Sequence, residues 1–173
     1  MAHEINEDLI RNSILNVANL MMVSAITAPK ARGVDNVVVK VISDEKQIEL
    51  LAKKMEELAK EYGEFFSRDA NNVKRSVAVV LIGCKNVKMG LKTPSKWALD
   101  ADTVCSLVNL GIAIGSAVKI ASMLNVDNRI MFSVGVAAQE LGLIEADYVF
   151  GIPLSAYPKN IYFDRVWSPL KTS

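Results

Sequence analysis

The sequence predicts an α+β sandwich: a small sheet of three to four strands, covered by helices around a buried central helix, in one domain spanning residues 1–173. Three observations predict it. Short apolar runs, VVVKVI at 37–42, SVAVVLI at 76–82 and YVFGI at 148–152, read as buried strands and alternate with longer stretches of helical period. The run from Asp102 to Leu124 carries only Lys119 as a charge between Thr103 and Val126, and reads as a helix buried on most sides rather than a membrane span. Half of the residues are hydrophobic (51%), enough for a sizeable core in a chain of this length.

In chain order, Asn6 caps a first helix, with Glu7 and Asp8 in its first turn, where negative charge suits the macrodipole. Leu9, Ile10, Ile14, Val17, Leu20 and Met21 follow at helical spacing, and Pro29 sets the stop. A loop, TAPKARGVDN, leads from Thr27 to the first strand. Ser43 caps a helix over 44–62, whose apolar residues Ile48, Leu51, Met55 and Leu58 recur in steps of three and four, and Gly63 ends it. Residues 64–75 mix turn and short helix before the second strand. A long polar connection, 83–96, reaches the central helix. VDNR at 126–129 is a turn, a further helix runs from about Ser133 to Gly142, and the third strand ends at Pro153. NIYFD at 160–164 is a possible fourth strand at an edge.

Composition narrows the chemistry. Twenty basic and nineteen acidic residues balance to +1, which gives no reason to expect nucleic acid or an anionic membrane as partner. MAHEINEDLIR lacks the pattern of a signal peptide, so the expectation is a cytoplasmic protein. The single histidine, His3, leaves no parts for a Ser-His-Asp triad, a Cys-His pair or a His-rich zinc site. Asp69, Asp127, Asp147 and Asp164 read as caps at loops and element ends. Two loops mix cations with exposed backbone: TAPKARGVDN, with Lys30, Arg32 and Asn36, and GIPLSAYPKN, with Ser155, Lys159 and Asn160. Either is a solvated turn or part of an anion site built from cations and free N–H groups. Taken together with Arg165, they place an expected site between the two loops, with Arg32 as a bidentate phosphate contact and Lys159 as a point charge. The competing reading is that Arg32 pairs with Asp35 or Asp164 and only ties the loops together.

RDANNVKRSVAVVLIG, VNLGIAIGSAV, VDNRIMFSVGVAAQELGL and GIPLSAYPKNIYFDR resemble the uncharacterised ferredoxin-domain-containing protein family of bacteria and archaea, over nearly the whole chain. That resemblance implies a cysteine cluster of the CGxCGxxxC kind between the second strand and the central helix, and an iron–sulfur centre held by thiolates. Here GLKTPSKWALDADTVC keeps only Cys105, and Cys84 is the chain's one other thiol, so no four-cysteine cluster is expected within one subunit.

A more distant resemblance is to the nitroreductase fold, carried by APKARGVDN at 28–36 and LGLIEADYVFGIPLSAYP at 141–158. It implies a homodimer that holds FMN at the subunit interface and moves hydride with it. The arginine- and serine-containing phosphate motif of those proteins has no arginine counterpart in Met1–Asp8. Two function classes follow: an FMN-dependent oxidoreductase with Lys30, Arg32, Asn36, Ser155, Lys159 and Arg165 as cofactor-binding residues, or a non-catalytic binding or assembly protein that has lost the cluster. A homodimer is also expected from the small residues of the central helix and from Trp167, Pro169 and Leu170, which a partner would cover.

Overall fold

The computed structural model describes residues 7–163. Asn6, Asp164, Arg165, Trp167, Pro169 and Leu170 lie outside them, so the expectations placed on these residues do too. The elements are α1 (Glu7–Thr27), a 3-10 turn (Ala31–Gly33), β1 (Val37–Ile42), α2 (Glu45–Tyr62), α3 (Phe65–Lys74), β2 (Ala78–Cys84), α4 (Ala101–Met123), β3 (Asp127–Asn128), α5 (Phe132–Glu140) and β4 (Tyr148–Ser155). The four strands form one antiparallel sheet in the order β1-β2-β4-β3.

Side chains alternate across the sheet, as the two-residue period of a strand requires. Val79, Leu81 and Val149 enter a core with α2, α3 and α5, centred on Phe66. Val80, Ile82, Cys84, Ile152 and Leu154 enter a second core with α1 and α4. The expected sandwich is therefore a three-layer one, with helices on both faces of the sheet. The α1–α4 contact is built from small side chains, Ala18 and Ala25 with Ala113, Ala117 and Ala121, which let the two backbones approach closely. On the other face, α5 lies against β4 through two glycines. A Cβ on Gly135 would stand 1.9 Å from the Val149 carbonyl oxygen, and one on Gly151 would stand 2.0 Å from Val134 Cγ1.

Several expectations are corrected. The central helix is not buried on most sides. Its inner face, from Ser106 and Asn109 to Ala121, is buried, while Val108, Gly111, Ile112, Gly115 and Met123 face outward, and nothing lies near either glycine. By length and composition α1 and α4 could each span a membrane; here their inner faces build the second core. Asp44, not Ser43, caps α2, because its carboxylate reaches the Gln47 N–H at 2.9 Å. The VDNR turn contains the short edge strand β3. Residues 160–163 are turns, so β3 takes the edge expected for 160–164.

Strand β4 continues through Pro153 to Ser155. The Gly151 N–H and C=O pair with Met131, whereas the Leu154 carbonyl accepts from Val77. Odd positions of β4 thus point away from β2. The missing N–H of Pro153 falls on the side facing β3, in the gap between the Asp127–Asn128 pairing and the Met131–Gly151 bridge.

Candidate functional site

The loop at 28–36 is built from inside. Lys30 Nζ donates to the Ile26 and Ala28 carbonyls at the end of α1 and pairs with Asp35 at 3.6 Å, so its side chain is only 8% exposed. Asn36 is buried. Its Oδ1 accepts from Asn109 Nδ2 at 2.9 Å and its Nδ2 donates to the Lys85 carbonyl at 2.7 Å, while Asn109 Oδ1 accepts from the Ala31 N–H at 2.8 Å. This chain of amides fixes the loop to α4, and breaking it would strand buried polar groups. Lys30 and Asn36 thus spend their polar atoms inside the chain. Arg32 adopts φ 53° and is exposed, with Nη1 donating to the Met89 carbonyl at 2.7 Å. It does not pair with Asp35, which Lys30 takes.

Ser155 ends β4 and is fully buried; its Oγ faces the Tyr162 hydroxyl but has no well-formed hydrogen bond. Lys159 is exposed, and Asn160 donates to Asp127 at 2.9 Å. The strand register sets the two loops apart. Val37 and Cys84 pair at one end of the sheet, beside the Lys30 loop, whereas Ala78 and Leu154 pair at the other, beside Ser155. Seven residues of β2 separate those ends by about 20 Å. The single pocket expected between the loops is therefore not formed within one chain.

Two clefts lie at the Ser155 end. One, of about 520 Å³, is lined by Arg11, Lys46, Lys74, Arg75, Val77 and Tyr157 among others. The second, of about 500 Å³, shares Arg11, Glu45, Val77 and Tyr157 with it and continues past Ala156 and Pro158. Both fall within the roughly 300–1,000 Å³ range of cofactor and ligand sites. Arg11 projects from α1, held by the Ser43 carbonyl at 3.0 Å and by Glu45 at 3.6 Å. The Arg75 guanidinium sits 5.9 Å from the centre of the Tyr157 ring, whose hydroxyl donates to the Arg75 carbonyl at 3.2 Å. Tyr157 is 48% exposed, so its ring forms part of the wall. Lys74 is held by Glu49 and Glu56.

Sequence reasoning missed Arg11 and Arg75. Arg11 was hidden in the amphipathic pattern of a helix, and Arg75 stood in a segment read as mixed turn and short helix. A usable signal was present: each sits near the end of a helix that the fold brings to this end of the sheet, Arg11 in the second turn of α1 and Arg75 just after α3.

The aspartates are structural. Asp69 lies within α3, buried, accepting from Ser133 Oγ at 2.7 Å at the start of α5, and from Arg68. Asp147 accepts from the Asn86 N–H and Asp127 from Asn160.

Two cysteines fall short of the four thiolates that a cluster within one chain would need. Cys84 is fully buried in β2, where burial, and then the nearby Asp147 charge, push its thiol up to about 11. Cys105 is half-buried on α4. Among the described residues no three histidine, cysteine or acidic side chains are grouped to hold a metal.

The structure is similar to a nitroreductase with bound FMN from Desulfitobacterium hafniense, at TM-score 0.60 and 14% identity over 83% of this chain and 78% of that one. It is also similar to an NADPH:FMN oxidoreductase from Vibrio harveyi complexed with NAD+, at TM-score 0.56 and 15% identity, over 84% of this chain and 60% of the longer Vibrio chain. Such likeness establishes the nitroreductase fold. In sequence, an uncharacterised protein from Archaeoglobus fulgidus is 39% identical over 179 residues, spanning 93% of this chain and 97% of that protein. Residues 100–165 match the model of a family described as uncharacterised proteins containing a ferredoxin domain, a stretch in which Cys105 is the one cysteine. With its fold and its sequence in agreement, the chain belongs to the family of uncharacterised proteins containing a ferredoxin domain.

Proposed function

We propose that the protein is an FMN-dependent oxidoreductase whose flavin is held between two chains. The observation that carries the reading is the cleft of Arg11, Arg75 and Tyr157, which sets two guanidinium groups and an exposed ring at one end of a fold shared with FMN-bound structures. A guanidinium fork matches phosphate oxygens in pairs, and an aromatic wall suits a flat ring system. Lys159 adds an exposed cation at the same end. Arg165 remains a proposed phosphate contact on its sequence alone. Lys30 and Asn36 act indirectly, shaping the loop that presents Arg32, and Ser155 ends the strand that leads to Tyr157.

The placement of Arg32 supports the second chain of this proposal. Arg32 lies at the far end of the sheet, so it reaches such a cleft only from another copy. The outer faces of α1 and α4 offer Leu20, Val23, Ile26, Val108, Ile112 and Met123, an apolar surface that a partner would bury. Two copies joined there about a two-fold axis crossing the helices run antiparallel, and each Arg32 loop then overlies its partner's cleft. Bound FMN supplies hydride acceptance and return. The chain's own part is to neutralise the phosphate with Arg11 and Arg75, cover one ring face with Tyr157 and exclude water.

Purified protein is expected to show the yellow absorbance of oxidised flavin or to acquire it on adding FMN. Light scattering is expected to give about twice the 18.9 kDa chain mass. Arg11→Ala and Arg75→Ala should each weaken FMN binding by about tenfold or more with little change in melting temperature. Equal binding by parent and variants would remove the site. A second reading, a binding or assembly protein that has lost its cluster, is favoured by the single cysteine in the matched stretch. A colourless protein that takes up no FMN would select it.

A further inference from the structure

The connection from β2 to α4 is long, exposed and yet firmly held. Asp102 accepts from the Gly90 N–H at 3.3 Å and the Leu91 N–H at 3.0 Å, and Thr93 Oγ1 accepts from the Ala101 N–H at 3.0 Å. Asn86 Nδ2 donates to Thr103 Oγ1 at 2.8 Å, and Arg32 reaches the Met89 carbonyl from the neighbouring loop. On this frame stands the tip 92–99, KTPSKWAL, closed by a turn from Trp97 N–H to the Pro94 carbonyl. Every residue of the tip is exposed, with Trp97 at 48% and Leu99 at 53%. A tryptophan held in water on a fixed loop leaves unburied one of the largest apolar surfaces a side chain offers.

We propose that this tip closes over the Arg11/Tyr157 cleft of a second copy of the chain and lays Trp97 against the aromatic ring system bound there. The proposal rests on the two-chain flavin reading above and deepens it, naming the residue that the partner adds. Three observations carry it. The tip stands at the Arg32 end of the sheet, which an antiparallel two-fold pairing sets over the partner's cleft. The apolar outer face of α4 begins just behind the tip, at Val108, so the two surfaces would be buried together. Charge also matches at the second cleft: Lys92 and Lys96 lie in the tip with no carboxylate partner among the described residues, and Glu7, Asp8 and Glu45 outnumber Arg11 in that cleft's lining, whereas the first cleft carries Arg11, Lys46, Lys74 and Arg75. Like-signed rims would repel; these attract.

The test is a cross-link that one chain cannot make with itself. Lys96 and Glu45 lie beyond opposite ends of β2, about 20 Å or more apart. Lys96→Cys with Glu45→Cys, in a Cys105→Ser background, is treated with a short bismaleimide at micromolar protein. The expected result is a covalent dimer in the double variant and in neither single variant. A dimer by light scattering that fails to cross-link overturns the placement of the tip and leaves the flavin reading standing, whereas a monomer overturns both. The ring contact has its own readout. Trp97→Ala should weaken FMN binding about tenfold while the dimer mass is kept. Unchanged FMN affinity in that variant overturns the role given to Trp97 alone.

Discussion

Cys84 and Tyr162 are the two side chains whose ionisation burial disturbs most. Burial pushes Cys84 from 9.0 to about 11 and Tyr162 from 10.0 to about 12, the latter partly offset by the Ser155 and Ser76 hydroxyls beside it. In both, folding favours the neutral form. Their stabilising contribution is therefore complete below pH 9 and is lost as pH rises through 11 and 12. Replacing Tyr162 by Phe should flatten the fall in unfolding free energy between pH 10 and 12, relative to the parent. A difference curve that stays level across that range would contradict the assignment. Thiol labelling gives a second check at this scale. With native protein near neutral pH, the half-buried Cys105 should react and Cys84 should not; Cys84 should become reactive only on unfolding. Equal labelling of both in the folded protein would mean that β2 is not sealed as described.

Among the elements, the contact of α5 with β4 is the least tolerant. Gly135→Ala would drive a methyl into the Val149 carbonyl, a backbone atom that cannot move aside, and should cost about 3 kcal/mol in chemical denaturation. Gly111→Ala and Gly115→Ala, on the open face of α4, meet nothing within the chain and should leave a monomer's stability unchanged or slightly improved. If that face packs on a second copy, both should instead weaken the dimer. The elements were readable where a local signal sufficed. The six residues of β1, the Gly63 end of α2 and the Pro29 limit on α1 all follow from period, glycine and proline. What was not readable needed the partner strand or the partner helix. Whether Pro153 ends β4 depends on which side its missing N–H faces, and the period of α4 does not say which of its faces the sheet covers. The candidate site failed for the same reason. Residue types picked out the two cationic loops correctly as loops, but only the antiparallel register places them at opposite ends of the sheet, and only the fold gathers Arg11, Arg75 and Tyr157.

At the scale of the whole molecule, the two halves of the proposed flavin site stand at opposite ends of the sheet and cannot meet in one copy. The Arg11/Tyr157 cleft is at one end, and the Arg32 loop with the Trp97 tip is at the other. The apolar outer layer of α1 and α4 between them is where two copies would join. Salt should weaken the loop-to-cleft contact more than the apolar one, since exposed charges are screened within roughly 10 Å at 0.1 M. FMN affinity is thus expected to fall between low and high salt while the dimer mass holds. The most direct measurement is complementation between two defective chains. Arg11→Ala and Arg32→Ala, each expected to bind FMN poorly alone, are unfolded together and refolded as a mixture. If each site draws one end from either chain, half the dimers are mixed and each mixed dimer regains one intact site, so FMN titration should recover about a quarter of the parental sites. Recovery of none, with both variants folded and dimeric, would contradict a flavin site shared between two chains.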